Sequence, residues 1–150
     1  HCISSTASDV YKRQTWDRAC TGFLPTYAAN AYYHGHNADR TLEDVLDEAE
    51  EFADGPYRKA LAVGHRLDPA DRAQVVATVS RLTGLDVNYI ERADLRIEHV
   101  RFCTELLRSK GKAVGRIDGR YTGALPRRTY EVADTDPSGD DTVAIFVHGF

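Results

Sequence analysis

Apolar residues recur at intervals of three and four along most of the chain, the spacing that gathers them on one face of a helix. Leu42, Val45, Leu46, Ala49, Phe52 and Ala53 make the clearest stripe, with Glu43, Asp44, Asp47, Glu48, Glu50 and Glu51 on the opposite side. Thr41 and Asp44 form a capping pair that starts this helix, and Gly55-Pro56 is expected to break it. Pro56 then suits the first turn of a short helix through Lys59, Leu61 and Val63 that ends near Gly64. Asp68-Pro69, a cap followed by a first-turn proline, opens another helix that carries Val75, Val76, Val79 and Leu82 inward and closes at Gly84. Asp86 caps a short helix over Val87 to Ala93, with Tyr89 and Ile90 facing in. A longer one, from about Ile97 to Lys110, buries Val100, Cys103, Leu106 and Leu107 and stops at Gly111.

After Gly111 the period changes. Ala113 to Ile117 is strand-compatible, Asp118-Gly119 is a turn pair, and Arg120-Tyr121-Thr122 can return as a partner strand. Gly123 to Asp141 holds two prolines and several acids and reads as a surface loop, whereas Thr142 to Phe150 is apolar and too short to classify. The pattern predicts a mainly α fold, with about five helices between Pro25 and Lys110 followed by a small β-hairpin, and no internal repeat.

Composition narrows the class. The 150 residues are 42% hydrophobic and 28% charged with a net charge of -4, which suits a soluble globular segment of about one domain. Acids outnumber bases, so no basic footprint for nucleic acid is expected, and no apolar run reaches the roughly 18 residues of a membrane span. Methionine is absent, so His1 is not expected to be the translation start. Residues 1–14 are Ser-rich and aperiodic. The string from Ser4 to Gln14, with Asp9-Val10-Tyr11-Lys12-Arg13-Gln14, resembles the translation of a transposon-derived sequencing-library adapter, which would make 1–14 an unstructured artefact at a cut gene edge and 15–150 the authentic region. Discounting them leaves Cys20 and Cys103, too few to set a disulfide framework or a redox compartment.

The chemistry-bearing residues do not assemble into a familiar site. Ser80, Ser109 and Ser138 lie outside any Gly-x-Ser-x-Gly elbow, and no glycine-rich phosphate loop occurs. His99 and Cys103, four apart on one helix, could share a metal, but Cys103 belongs to an apolar stripe and no further ligands complete a set of four. His34-Gly35-His36 falls at a helix end, where Gly35 suits a C-cap and the dipole favours histidine, with catalysis the alternative. Asp118 between Arg116 and Arg120 reads as a turn with ion pairs, or else as a polar patch lining a cleft. The acidic face at 43–51 reads as solvent surface, with a metal or cationic partner as the alternative. No catalytic, cofactor-binding or metal-ligating residue is assigned.

A resemblance extends this reading. Phe23-Leu24-Pro25-Thr26-Tyr27-Ala28-Ala29-Asn30-Ala31-Tyr32-Tyr33-His34-Gly35 is similar to the Leu-Pro-x-Tyr-Ala-Ala-x-Ala-x-Tyr-His-Gly segment of bacterial serine carboxypeptidases, the carboxypeptidase Y and cathepsin A family. In the same order follow Asp47 to Ala53 with Gly55 and Tyr57, Leu82-Thr83-Gly84-Leu85, Tyr89 to Ala93, Leu95-Arg96-Ile97, Arg101-Phe102 and Glu105 to Arg108. Val114 to Gly123 and Asp136-Pro137-Ser138 complete a collinear series over residues 22–150, while Thr15 to Gly22 departs from the family's apolar lead-in. The resemblance implies the helical insertion that caps the sheet of an α/β-hydrolase, with the serine nucleophile and oxyanion hole before this region and the aspartate and histidine after it. The chain alone would then carry no triad, the whole enzyme would hydrolyse peptides from the carboxyl end, and Tyr27, Tyr32 and Tyr33 would lack the sheet they pack on. Two other readings stand beside it. Ala144 to Phe150 also resembles the strand and His-Gly segment of lipase-like hydrolases, with a domain starting near Thr142. A non-catalytic helical interaction module fits the periodicity alone. Cofactors are not implied, and oligomeric state and localisation are left open.

Overall fold

The stripes pack as the periodicity requires. In the computed structural model, which describes residues 7–125 with side chains from 14 onward, six α-helices precede one antiparallel hairpin. They are α1 (Ala7–Tyr33), α2 (Leu42–Phe52), α3 (Arg58–Val63), α4 (Pro69–Thr83), α5 (Val87–Arg92) and α6 (His99–Glu105), with strands β1 (Lys112–Val114) and β2 (Thr122–Ala124). The fold is mainly α with a small hairpin, as expected. A π-helical turn over Ala53–Tyr57 joins α2 directly to α3, so the six helices form five helical bodies among the described residues.

Several boundaries differ from expectation, each for an identifiable reason. Gly55-Pro56 widens the helix instead of breaking it: a proline cannot donate to the carbonyl four residues back, and a wider turn relieves the ring's clash with that carbonyl. Likewise α1 runs through Pro25 and begins at Ala7, so residues 7–14 are helical where an unstructured segment was expected. Burial of Cys20, Leu24, Tyr27, Ala28 and Ala31 holds the helix in place, and once a helix is nucleated each further residue adds a bond at little cost. The helix expected over 97–110 is shorter: α6 gives way after Glu105 to a bend and a 3-10 turn at Arg108–Lys110, closed by left-handed Gly111. The hairpin pairs Val114 with Thr122, so a loop of residues 115–121 replaces the tight two-residue turn, and β2 extends to Ala124 where a loop was expected to begin at Gly123. Residues 126–141, Ser138 among them, and Thr142 to Phe150 lie outside the described residues.

The caps agree closely with the sequence. Thr41 accepts from the Asp44 amide, Asp68 from the Ala70 amide, and Asp86 from both Asn88 and Tyr89, while Gly84 closes α4 with φ 70°. Of the α2 stripe, Val45, Ala49 and Ala53 are buried, Leu46 and Phe52 half-buried, and Leu42 is 42% exposed beyond the edge of the contact.

Two hydrophobic clusters result. The larger gathers Tyr27, Tyr57, Leu61, Ile90, Leu95, Ile97 and Phe102 between α1, α3, α5 and α6. In the smaller, Ala28, Val45, Ala49 and Leu82 let α1, α2 and α4 approach closely, with Tyr32 and Phe52 at its border. Tyr27 is therefore covered from within the chain, its ring stacked on Phe102 at 4.1 Å and its hydroxyl donating to the Ile97 carbonyl. This corrects the expectation of an uncovered tyrosine face: Tyr27 is buried, Tyr32 is half-buried against the smaller cluster, and Tyr33 is 59% exposed. Arg96 knits the N-terminal part of α1 to this core, pairing with Asp17 at 2.9 Å and donating to the Leu61 carbonyl. Asp17, inside the stretch that departs from the carboxypeptidase lead-in, thus belongs to the packed body. Among the described residues no helix is long and apolar enough to cross a membrane.

Candidate functional site

Of the serine and cysteine side chains among the described residues, Ser80, Cys20 and Cys103 are bonded or buried. Ser80, one turn from the end of α4, donates its hydroxyl to the Leu85 carbonyl at 2.6 Å, and Ser109 sits exposed on the 3-10 turn. Cys20 and Cys103 are buried thiols. Burial, with Asp17 adding to it, pushes the Cys20 thiol up to about 11, so it stays protonated and unreactive near neutrality.

The histidines serve the loop that follows β1. His99 Nε2 donates to the Arg116 carbonyl at 3.0 Å, and Cys103 Sγ faces the Gly115 carbonyl at 3.8 Å. Both residues of the pair weighed as metal ligands are thus turned to backbone, and no group of three or more potential ligands occurs among the described residues. The His99 ring also stacks on Phe23 at 5.2 Å, while its Nδ1 is buried without a hydrogen bond. At the other end of the loop, His34 Nε2 donates to the Gly119 carbonyl at 2.6 Å. A side chain at Gly119 would strike the Asn30 amide at 2.2 Å, so only glycine lets the loop lie on α1.

His34-Gly35-His36 does end α1, with Gly35 at φ 94°. His36 rests against Gly84, and burial, then Lys110 and His34, lower its pKa. Asp118 accepts three hydrogen bonds from the Arg120 guanidinium and one from its backbone amide, which together hold its carboxyl down at about 2. The turn with an ion pair is what forms. On the acidic face of α2 only Glu48 leaves the solvent layer, bridging Arg81 and Arg40 and linking α2 to α4.

What the sequence did not disclose is a cleft of about 610 Å³ where α1, α5 and α6 meet. Trp16 stands on one side, Tyr89 and Arg92 on the α5 side, and Arg101 and Glu105 on the α6 side. Helical spacing explains the grouping, since Tyr89 and Arg92 lie three apart on α5 and Arg101 and Glu105 four apart on the α6 turn. Arg96, Glu98 and Arg108 complete the polar wall. The hydroxyl of Tyr89 is buried there without a hydrogen bond, and its pKa is pushed up to about 12 by burial first and by Glu105 next. The available signal was arginine recurring at 92, 96, 101 and 108. Periodicity could not use it, because these positions fall on two helices and the bend between them. No family model, no curated protein and no solved structure matches this chain.

Proposed function

We propose that the chain is part of the helical cap of a serine-type carboxypeptidase, an α/β-hydrolase that removes residues from the carboxyl end of peptides. The observation that carries this reading is the collinear resemblance over residues 22–150, from Phe23-Leu24-Pro25 to Asp136-Pro137-Ser138. A mainly helical segment ending in a hairpin is the architecture such an insertion would have. Several of the resembling positions are packing positions: Leu24, Tyr27 and Ala31 on α1, Leu82 and Leu85 around the end of α4, Ile90, Leu95 and Phe102 in the larger cluster. The resemblance therefore speaks for a scaffold, whose part in the reaction is to shape the substrate cleft and exclude water during acyl transfer.

A second reading, a non-catalytic helical interaction module, is favoured by one feature: Tyr27, Tyr57 and Phe102 are fully covered without any hydrolase sheet. The lipase-like reading rests on Thr142 to Phe150, outside the described residues. Extending the gene in both directions separates the three. A Gly-x-Ser-x-Gly elbow upstream with an aspartate and a histidine downstream is expected, and absence of any of these overturns the carboxypeptidase reading. The chain by itself is expected to leave blocked dipeptides intact at acidic and neutral pH. Turnover abolished by a serine-directed inhibitor would overturn that.

A further inference from the structure

The cleft between α1, α5 and α6 has an uncommitted cation, an uncommitted hydroxyl and an aromatic wall. Arg96 is bound to Asp17 and Asp94, Arg108 to Glu105, and Arg101 to Glu98 at 3.4 Å. Arg92, in their midst, makes no hydrogen bond or ion pair with any described residue. We propose that this cleft is a binding site for the carboxylate of a small organic acid carrying an aromatic or apolar body. A guanidinium presents two parallel donors at the spacing of carboxylate oxygens. Tyr89, three residues before Arg92 on α5, lines the same cleft, and its phenol keeps its proton throughout the physiological range. Trp16, 44% exposed and lining the same cleft, offers a flat apolar face for the body of the ligand.

Charge selects among anions. The lining has four arginines, but three already face carboxylates, and Glu98 and Glu105 stand in the same wall. A single free guanidinium beside two glutamates matches one negative charge, so a carboxylate is favoured over a phosphate dianion, which the glutamates repel more strongly. The volume, about 610 Å³, lies in the range of small-molecule sites. This assignment stands independently of the carboxypeptidase reading, because it uses neither the triad nor the sheet.

Trp16 is the chain's single tryptophan and lines the cleft, so its fluorescence reports binding directly. The probes are N-acetyl-phenylalanine, its amide and inorganic phosphate, each titrated into the whole chain. A saturable change with the acid, weakened by added salt and at least several-fold weaker or missing with the amide, is expected. Arg92→Gln, which breaks no hydrogen bond or ion pair among the described residues, should weaken binding about tenfold, the scale of one charge-assisted hydrogen bond. Tyr89→Phe should weaken it by a smaller factor, and Arg92→Lys should fall between wild type and Arg92→Gln. No saturable response to the acid, equal affinity for the amide, or an unchanged affinity in Arg92→Gln with a wild-type circular dichroism spectrum overturns the proposal. Tighter saturation by phosphate overturns the carboxylate assignment. The comparison of acid with amide uses the wild-type chain, so it decides the matter even if a variant fails to fold.

Discussion

Tyr57 shows how a single polar atom can be held inside an apolar cluster. Its ring is buried and its hydroxyl donates to the Leu95 carbonyl, at a place where Asp94 and Leu95 both take positive φ, 50° and 64°. Such a backbone is costly for residues with a Cβ and persists only where its surroundings hold it. Here the holders are the buried Leu95 side chain, the tyrosine hydroxyl, and Arg72 and Arg96, which both bind Asp94. Removing the hydroxyl leaves a buried carbonyl without that donor. Tyr57→Phe is accordingly expected to destabilise the fold by about 1–3 kcal/mol, read as a lower urea midpoint at constant slope. A midpoint indistinguishable from wild type would show that the Leu95 carbonyl does not depend on Tyr57.

At the scale of elements, the short helices depend on their ends more than on their length. α5 is six residues long, below what propensity alone can sustain, and Asp86 satisfies two of its first free amides. Replacing Asp86 with alanine should cost about 1 kcal/mol, and replacing it with asparagine should restore most of that, since the amide oxygen can still accept. Equal loss in both variants would trace the effect to charge and not to capping. The π turn at Ala53–Tyr57 makes a related point. Gly55-Pro56 is a strong breaker in isolation, yet Ala53 and Tyr57 on either side are both buried in the same cluster, and that burial keeps the chain turning through the proline.

For the molecule as a whole, acid is the expected point of weakness. The folded pKa of His36 is depressed, so its neutral form is the one the fold accommodates. The unfolded chain binds that proton first, and the associated stability is present above the unfolded value near 6.5 and is lost as pH falls through it. Glu48, held below its ordinary range chiefly by Arg81, behaves with the same sign in a lower window: its contribution is present above about 4.5 and is lost below. The denaturation midpoint should therefore drop between about pH 7.5 and about pH 5.5, and His36→Gln should flatten that interval while sparing the slope below about pH 4.5. A midpoint that stays level across the upper interval in the wild-type chain would sink this account.

Local rules carried a large share of the structure. Thr41, Asp68 and Asp86 as caps, Gly35, Gly84 and Gly111 as left-handed stops, and the Val75, Val76, Val79 and Leu82 face are each set by residues within a turn or two of one another, so the sequence by itself determined them. The mainly helical class with its terminal hairpin follows from the same periods. Tertiary packing decided the rest, because the competing terms lie far apart in the chain. Burial of Cys20, Leu24 and Tyr27 against α3, α5 and α6 carried α1 through Pro25 and back beyond it. The contact of Gly119 with Asn30 and His34, and of His99 with the Arg116 carbonyl, opened the expected two-residue turn into a loop spread over α1 and α6. The cleft belongs to this second kind. Arg92 and Tyr89 are legible as one face of a helix, but Trp16 is more than seventy residues away, and only the folded chain brings an indole to the same cleft as an arginine that no other described residue has claimed.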